Sequence, residues 1–283
     1  MGRGLVEAAP TVFATASEVL GVDVTELCLE GRSGSADLLT TRWAQPAVLV
    51  CSVAAFSALA GRESFAAVAG HSVGEYAALV ASEALELSDA LVLIRERADA
   101  TDDAGRATPG GMAAVMRIER DALEALCAEH GAALAADNGP GQFVVSGSID
   151  ALERTVEAAT SAGAVCRRLE VAAAFHSPVM AAAAERLASA LDGVTFATPS
   201  IELWSSTAAA PVSTPDEIRA ALLNQLTSPV RWRETIEGLA ARLGAAFSDL
   251  GPGRVVAGLT KRIVKGAQIK TLDDLLVPAG GAS

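Results

Sequence analysis

The segment Gly70-His71-Ser72-Val73-Gly74 constrains the fold more than any other in the chain. It follows a short apolar run, Phe65-Ala66-Ala67-Val68-Ala69, and precedes a helical pattern from Glu75 to Ser82. Strand, sharp turn and helix in that order form a unit of α/β architecture. G-x-S-x-G at the turn is the pattern of a serine presented as a nucleophile. The flanking glycines let the backbone reverse without Cβ clashes. The hydroxyl then sits at a helix N-terminus, where unpaired N–H groups and the dipole stabilise an oxyanion. Gly-rich turns also arise for packing alone, but the strand–helix context favours the nucleophile.

A serine nucleophile needs a base, and the chain holds three histidines. His71 adjoins the serine, and adjacent side chains on such a turn point apart; a local backbone hydrogen bond is its expected role. His130 ends a helical pattern, where an imidazole complements the dipole. His176, in Ala173-Ala174-Phe175-His176-Ser177-Pro178, remains, and elimination favours it as the base. It stands just past a segment expected to enter as a strand beside the first. The residues alone pick out no acid to orient the imidazole.

The rest of the chain divides by periodicity. Residues 5–106 read as helical around the one strand, with helices over Ala47–Leu59, Glu75–Ser82 and Ser88–Ala100. The middle reads as strand Met112–Met116, helix Arg120–Glu129, strands Ala132–Ala136 and Gln142–Ser146, a helix capped by Ser148, and strand Ala164–Val171. Asp137-Asn138-Gly139-Pro140-Gly141 is the turn between the paired strands. That β-α-β-β-α-β order is the ferredoxin-like pattern. A helix over Val179–Leu191, a strand near Ile201–Leu203, a capping box at Thr214-Pro215-Asp216-Glu217 and a strand Ala245–Leu250 return the chain to α/β. The tail Pro278–Ser283 is expected to be loose.

Composition excludes several classes. Hydrophobic residues are 51% and charged residues 20%, so the chain is not disordered. Aromatics at 4% predict a core of Ala, Val and Leu. A net charge of −12 argues against nucleic acid, whose phosphates demand a basic face. Four cysteines without a CxxC pair or a Cys/His cluster fit a reduced cytoplasmic protein and no metal site. The longest apolar run, residues 44–60, is interrupted by Gln45, Pro46, Ser52 and Ser57, which argues against a membrane span.

Taken in order, Thr41-Arg42-Trp43-Ala44-Gln45-Pro46-Ala47, the Gly70–Tyr76 segment, Arg95-Glu96-Arg97, Asn138-Gly139-Pro140-Gly141-Gln142, Phe175-His176-Ser177-Pro178-Val179-Met180, Asn224–Trp232 and Leu250-Gly251-Pro252-Gly253 resemble the malonyl-CoA:acyl carrier protein transacylases and polyketide synthase acyltransferase domains. The resemblance implies an α/β-hydrolase-like large subdomain (1–108 and 175–283) carrying an inserted ferredoxin-like small subdomain (109–174). It implies that Ser72 becomes the acyl ester with His176 as base, and that the Gln225 carbonyl orients the imidazole. Arg97 falls where the family binds the substrate carboxylate, with Arg95 as the competitor if the register slips. A planar guanidinium suits a carboxylate through two parallel charge-assisted hydrogen bonds. Gln45 and Asn138 match site-lining positions, and Val73 supplies an oxyanion N–H.

The implied partners are malonyl-CoA and an acyl carrier protein, with no cofactor, since coenzyme A enters as part of the substrate, and with a monomeric enzyme. Ala173-Ala174-Phe175-His176 resembles the His-Ala-Phe-His tetrapeptide of malonyl-selective domains, although its first position is Ala. Basic candidates for carrier docking are Arg154, Arg167 and Arg168, and Lys261, Arg262 and Lys265. Relatives carry a first strand and a Gly-Gln-Gly-Ser-Gln loop ahead of the residues matching Met1-Gly2-Arg3-Gly4-Leu5, so that strand and one oxyanion donor are expected to be missing here. Alternatives are a thioesterase that clears carrier proteins, which needs no Arg97, and a non-catalytic carrier-docking protein.

Overall fold

The computed structural model describes residue 2 and residues 4–276. The chain opens with helices α1 (Leu5–Ala8), α2 (Pro10–Leu20) and α3 (Val24–Glu30), then a short antiparallel pair, β1 (Arg32–Ser33) and β2 (Ala36–Asp37). Helix α4 (Thr41–Ala58) leads to β3 (Ala67–Ala69), and the serine turn leads into α5 (Gly74–Ala81) and α6 (Leu87–Ala107). Pro10 opens α2 and Asp23 caps α3 by accepting from Glu26 N–H. Buried alanines such as Ala47, Ala54, Ala90 and Ala98 fill the space between α4 and α6 without bulk. Leu49, Val50, Leu91 and Ile94 complete this main core.

The middle stretch forms the expected six elements: β4 (Gly110–Met116), α7 (Arg120–His130), β5 (Ala133–Gly139), β6 (Gln142–Ser148), α8 (Ile149–Ser161) and β7 (Val165–Arg168). They make an antiparallel sheet of order β5-β6-β4-β7. Ser148 caps α8 by accepting from Ala151 N–H. Because strand side chains alternate, Ala113, Val115 and Val145 face Leu123 and Leu152 of α7 and α8. Met112, Val144 and Ala136 face the opposite way, into a second cluster that holds Trp232. Both faces of this sheet are therefore covered.

After a 3₁₀ turn at Pro178–Met180 come α9 (Ala181–Leu191), β8 (Glu202–Ser205), β9 (Ala210–Val212), α10 (Pro215–Gln225), α11 (Trp232–Leu243), β10 (Ala246–Asp249), α12 (Val255–Ile263), β11 (Gln268–Thr271) and α13 (Leu272–Leu276). Thr214 and Glu217 close the capping box on α10. Strand β8 runs parallel to β3 and antiparallel to β9, while β10 and β11 pair in parallel. Asp137 ties the small sheet to α11: its buried carboxylate meets Arg233 at 2.9 Å and Arg120 at 3.5 Å.

Several boundaries differ from the sequence reading. The strand expected over Ala164–Val171 stops at Arg168, and residues 169–177 carry no strand. The strand beside β3 is β8, not the segment before His176. That segment reaches His176 by passing against glycine instead: a Cβ on Gly110 would lie 2.8 Å from the Ala174 Cβ. The cysteines, scattered in sequence, include one close pair, with the Cys28 and Cys51 sulfurs 4.0 Å apart. No described helix is long and apolar enough to cross a membrane. The tail expected to be loose, Pro278–Ser283, lies outside the described residues.

Candidate active site

Strand β3 ends at Ala69, and the chain reverses through Gly70 into α5. A Cβ on Gly70 would lie 2.0 Å from the Gly74 carbonyl carbon, so the turn closes only around glycine. Gly74 is different: a Cβ there meets nothing within 4 Å. Ser72, at the apex, takes φ 52°, and His176 takes φ 57°. Both catalytic candidates thus occupy the left-handed region that L-residues avoid, a strain that persists only where surrounding structure enforces it.

Three predicted residues converge on one hydroxyl. Ser72 Oγ lies 2.8 Å from His176 Nε2. His176 Nδ1–H donates to the Gln225 carbonyl at 2.8 Å, which assigns the bare Nε2 as acceptor of the serine proton. The orienting group is therefore the backbone at the end of α10, which is why no acid could be found among the residues. Arg97 on α6 donates from Nη2 to Ser72 Oγ at 3.0 Å and from Nη1 to Gln45 Oε1. Arg97 is 1% exposed and His176 6%. Val73 is the N-cap of α5, so its N–H lies ahead of the intrahelical ladder, as an oxyanion donor requires.

The remaining candidates divide. Asn138 Oδ1 accepts from His71 Nε2–H at 2.8 Å, and the His71 ring meets Trp232 edge-on at 5.4 Å between centroids. His71 therefore makes a side-chain bond to the small sheet in addition to the local backbone bond expected of it. Arg95 points away and donates to the Leu20 carbonyl, which removes it as competitor to Arg97. His130 offers its carbonyl to Arg154. Phe175, half-buried, packs between the main core and the second cluster, immediately before His176.

Two residues outside the sequence-derived set complete the surroundings. Thr101 Oγ1 donates to the Arg97 carbonyl at 2.8 Å and accepts from Gln45 Nε2 at 3.3 Å, which fixes the Gln45 amide with its oxygen toward Arg97. Its spacing, one helical turn beyond Arg97, was the available signal. Glu75, directly after the elbow, is buried and accepts from Gln225 Nε2 at 2.7 Å.

Electrostatics follow from burial. Desolvation, with the Arg97 charge second, holds His176 down to about 3, so the imidazole is neutral at ordinary pH and available as a base. Burial also lowers His71 and raises the Glu75 carboxyl above its ordinary range. Arg97 is lowered by the same cause, with Tyr76 and Glu75 opposing it. Its Nε has no hydrogen-bond partner among the described residues. A buried cation beside the Ser72 hydroxyl has the chemistry to receive an anionic group.

A serine–imidazole pair on an α/β scaffold, with a buried guanidinium at the nucleophile, defines an acyl-transfer enzyme. Residues 5–273 match the acyl transferase domain family, and the chain belongs to that family. It is 36% identical to the malonyl CoA-acyl carrier protein transacylase of Haemophilus influenzae, over 93% of this chain and 86% of that protein. The acyl-carrier-protein S-malonyltransferase structure from Bartonella henselae superimposes with a TM-score of 0.90 at 34% identity, covering 97% of this chain and 92% of that one. A malonyl-transacylase in complex with a type II polyketide synthase acyl-carrier protein superimposes with a TM-score of 0.86 at 32% identity, covering 94% and 87% of the two chains.

Proposed function

We propose that this enzyme moves a malonyl group from coenzyme A to the phosphopantetheine thiol of an acyl carrier protein, for fatty acid or polyketide synthesis, by way of a malonyl ester on Ser72. The observation that carries the reading is the Arg97 guanidinium, buried and donating to the nucleophilic hydroxyl itself. A hydrolase acting on neutral acyl groups has no use for that charge.

The steps follow from the geometry. Ser72 Oγ attacks the thioester carbonyl as His176 Nε2 takes its proton, and the imidazolium is held by the Gln225 carbonyl. The negative oxygen of the tetrahedral adduct accepts from Val73 N–H. Collapse expels coenzyme A, whose sulfur takes the proton from His176. The carrier thiol then gives its proton to His176 and attacks the ester, and Ser72 recovers its hydrogen as the acyl thioester departs. Arg97 holds the malonyl carboxylate through both halves. Phe175, preceding the base, disfavours a branch at the acyl α-carbon, so malonyl-CoA is preferred over methylmalonyl-CoA.

The carrier protein docks on a local basic surface because the whole enzyme is acidic. Lys261 and Arg262 at the end of α12 are exposed, and Arg262 donates to Gln142, four residues beyond Asn138. Arg168 is engaged by Glu153, and Arg154 by the His130 carbonyl. Reversing charge at Lys261 and Arg262 raises KM for the carrier and not for malonyl-CoA; an unchanged carrier KM refutes this face. The test of the function is the intact mass after exposure to malonyl-CoA. A malonyl adduct that is absent in Ser72→Ala and discharged by holo-carrier protein is expected. An enzyme that releases free malonate at the same rate without carrier overturns the transfer reading.

A further inference from the structure

We propose that Glu75 is a positioning residue of the acyl-transfer site: its carboxylate fixes the Gln225 side chain, and through it both the carbonyl that holds His176 and the carbonyl of Ser72. This rests on the acyl-serine reading given above and adds to it a residue that takes no part in the steps described there.

Glu75 lies in the first turn of α5, three residues after the nucleophile, yet it faces the protein interior and is 3% exposed. Its Oε2 accepts from Gln225 Nε2 at 2.7 Å and from Ser206 Oγ at 3.4 Å, and Ser205 at the end of β8 also donates to it. Gln225 Nε2 carries two hydrogens. One goes to Glu75 and the other to the Ser72 carbonyl at 3.3 Å. Gln225 Oε1 is buried without a partner among the described residues. The amide orientation is thus set wholly from its nitrogen side: turned over, Oε1 would face a carboxylate and a carbonyl, both acceptors.

The consequence runs to the dyad. The carbonyl of the same residue, Gln225, accepts from His176 Nδ1–H. One residue therefore holds the imidazole with its backbone and the serine with its side chain, and Glu75 pins that residue between α5, β8 and α10. A triad places its carboxylate on the imidazole itself. Here the carboxylate is one residue further back, and a neutral carbonyl meets the ring. A buried carboxylate is costly to desolvate, and a well-packed apolar residue would serve the fold as well or better. What an apolar residue cannot do is accept from Gln225.

The readout is the single-turnover rate of Ser72 malonylation, followed by rapid quench and intact mass. Glu75→Ala is expected to slow it by about 100-fold, the scale of a misplacement near 1 Å, with KM for malonyl-CoA within about threefold. Glu75→Gln still presents an amide oxygen to Gln225 and is expected to retain most of the rate. Gln225→Ala keeps the carbonyl but loses Nε2, so it is expected to fall to a similar degree. The double variant Glu75→Ala/Gln225→Ala is expected to fall no further than the worse single one. Additive losses, an unimpaired Glu75→Ala, or a change confined to KM each overturn the proposal. Should Glu75→Ala not fold by circular dichroism, Glu75→Met, which removes the acceptor while filling the space, replaces it in the cycle with Gln225→Ala and is judged by the same criterion. An unsubstituted chain that takes up no malonyl group refutes the acyl-serine reading itself, an outcome distinct from any of these.

Discussion

Replacing Arg97 by Ala separates substrate recognition from nucleophile activation. The guanidinium is 1% exposed, so a malonyl carboxylate bound to it is desolvated with it. Removing one partner of such a buried pair leaves the other unpaired and costs about 3–5 kcal/mol. At about 1.4 kcal/mol per decade this is two to nearly four orders of magnitude in kcat/KM for malonyl-CoA. Acetyl-CoA brings no carboxylate, so its kcat/KM is expected to stay within a few-fold or to rise. Arg97→Lys keeps the charge but not the fork, and is expected to fall between the two. The assay is discharge of acetyl- and malonyl-CoA to holo-carrier protein, with thermal melts to show that each variant folds. The reasoning is refuted if both donors lose the same factor. Arg97 would then act on Ser72 Oγ, 3.0 Å away, and not on the acyl chain.

The two glycines of the elbow are expected to behave oppositely. Gly70→Ala drives a Cβ to 2.0 Å from the Gly74 carbonyl carbon and is expected to cost more than the about 1–3 kcal/mol usual for overpacking. Gly74→Ala meets open space at a helical position and is expected to stabilise by up to about 1 kcal/mol in urea melts; a large loss there would contradict the geometry. Acid stability tests the buried imidazole. His176 has a folded value of about 3 against an ordinary 6.5, so as pH falls below 6.5 the unfolded chain takes up the proton first. The stability is whole above pH 6.5 and falls by about 2 kcal/mol by pH 5. His71, lowered for the same reason, adds in the same direction. His176→Asn is expected to flatten the urea-midpoint slope between pH 7 and 5, and an unchanged slope would refute the burial argument.

What could be read in the residues was local or bore a short-range signature. Gly70 and Ser72 announce the turn because the backbone geometry of such a bend is unavailable to most residues. The small sheet was legible because its strands alternate and its turn carries Asn-Gly-Pro-Gly. Ser148 and Thr214 were legible as caps because a cap is a contact of three residues. The group that orients His176 was not legible from the residues themselves, since any residue has a carbonyl and only the fold brings that of Gln225 to Nδ1. Helices α11 and α12 were passed over, as was β11, whose four residues are too short for a period. The bond from His71 to Asn138 joins residues 67 apart in sequence, and no periodicity reports a contact of that range.

The choice of a neutral carbonyl over a carboxylate behind His176 has an electrostatic consequence. With a carbonyl and not a carboxylate in contact with Nδ1, the imidazole feels first its burial and then the Arg97 cation, and both make it a weak base. A malonyl carboxylate docked on Arg97 cancels that cation. On the proposed mechanism the substrate would therefore strengthen the base that acts on it, and would do so again in the malonyl-Ser72 ester, when the carrier thiol must be deprotonated. An acetyl ester leaves Arg97 uncompensated and the imidazole weaker. The sign is fixed: removing a nearby positive charge raises the imidazole pKa. Nitrogen-15 NMR titration of His176 in malonyl- and acetyl-Ser72 adducts is expected to give the higher value in the malonyl form. Equal values in the two adducts would mean that the carboxylate is bound elsewhere, and that preference for malonyl arises from contact alone.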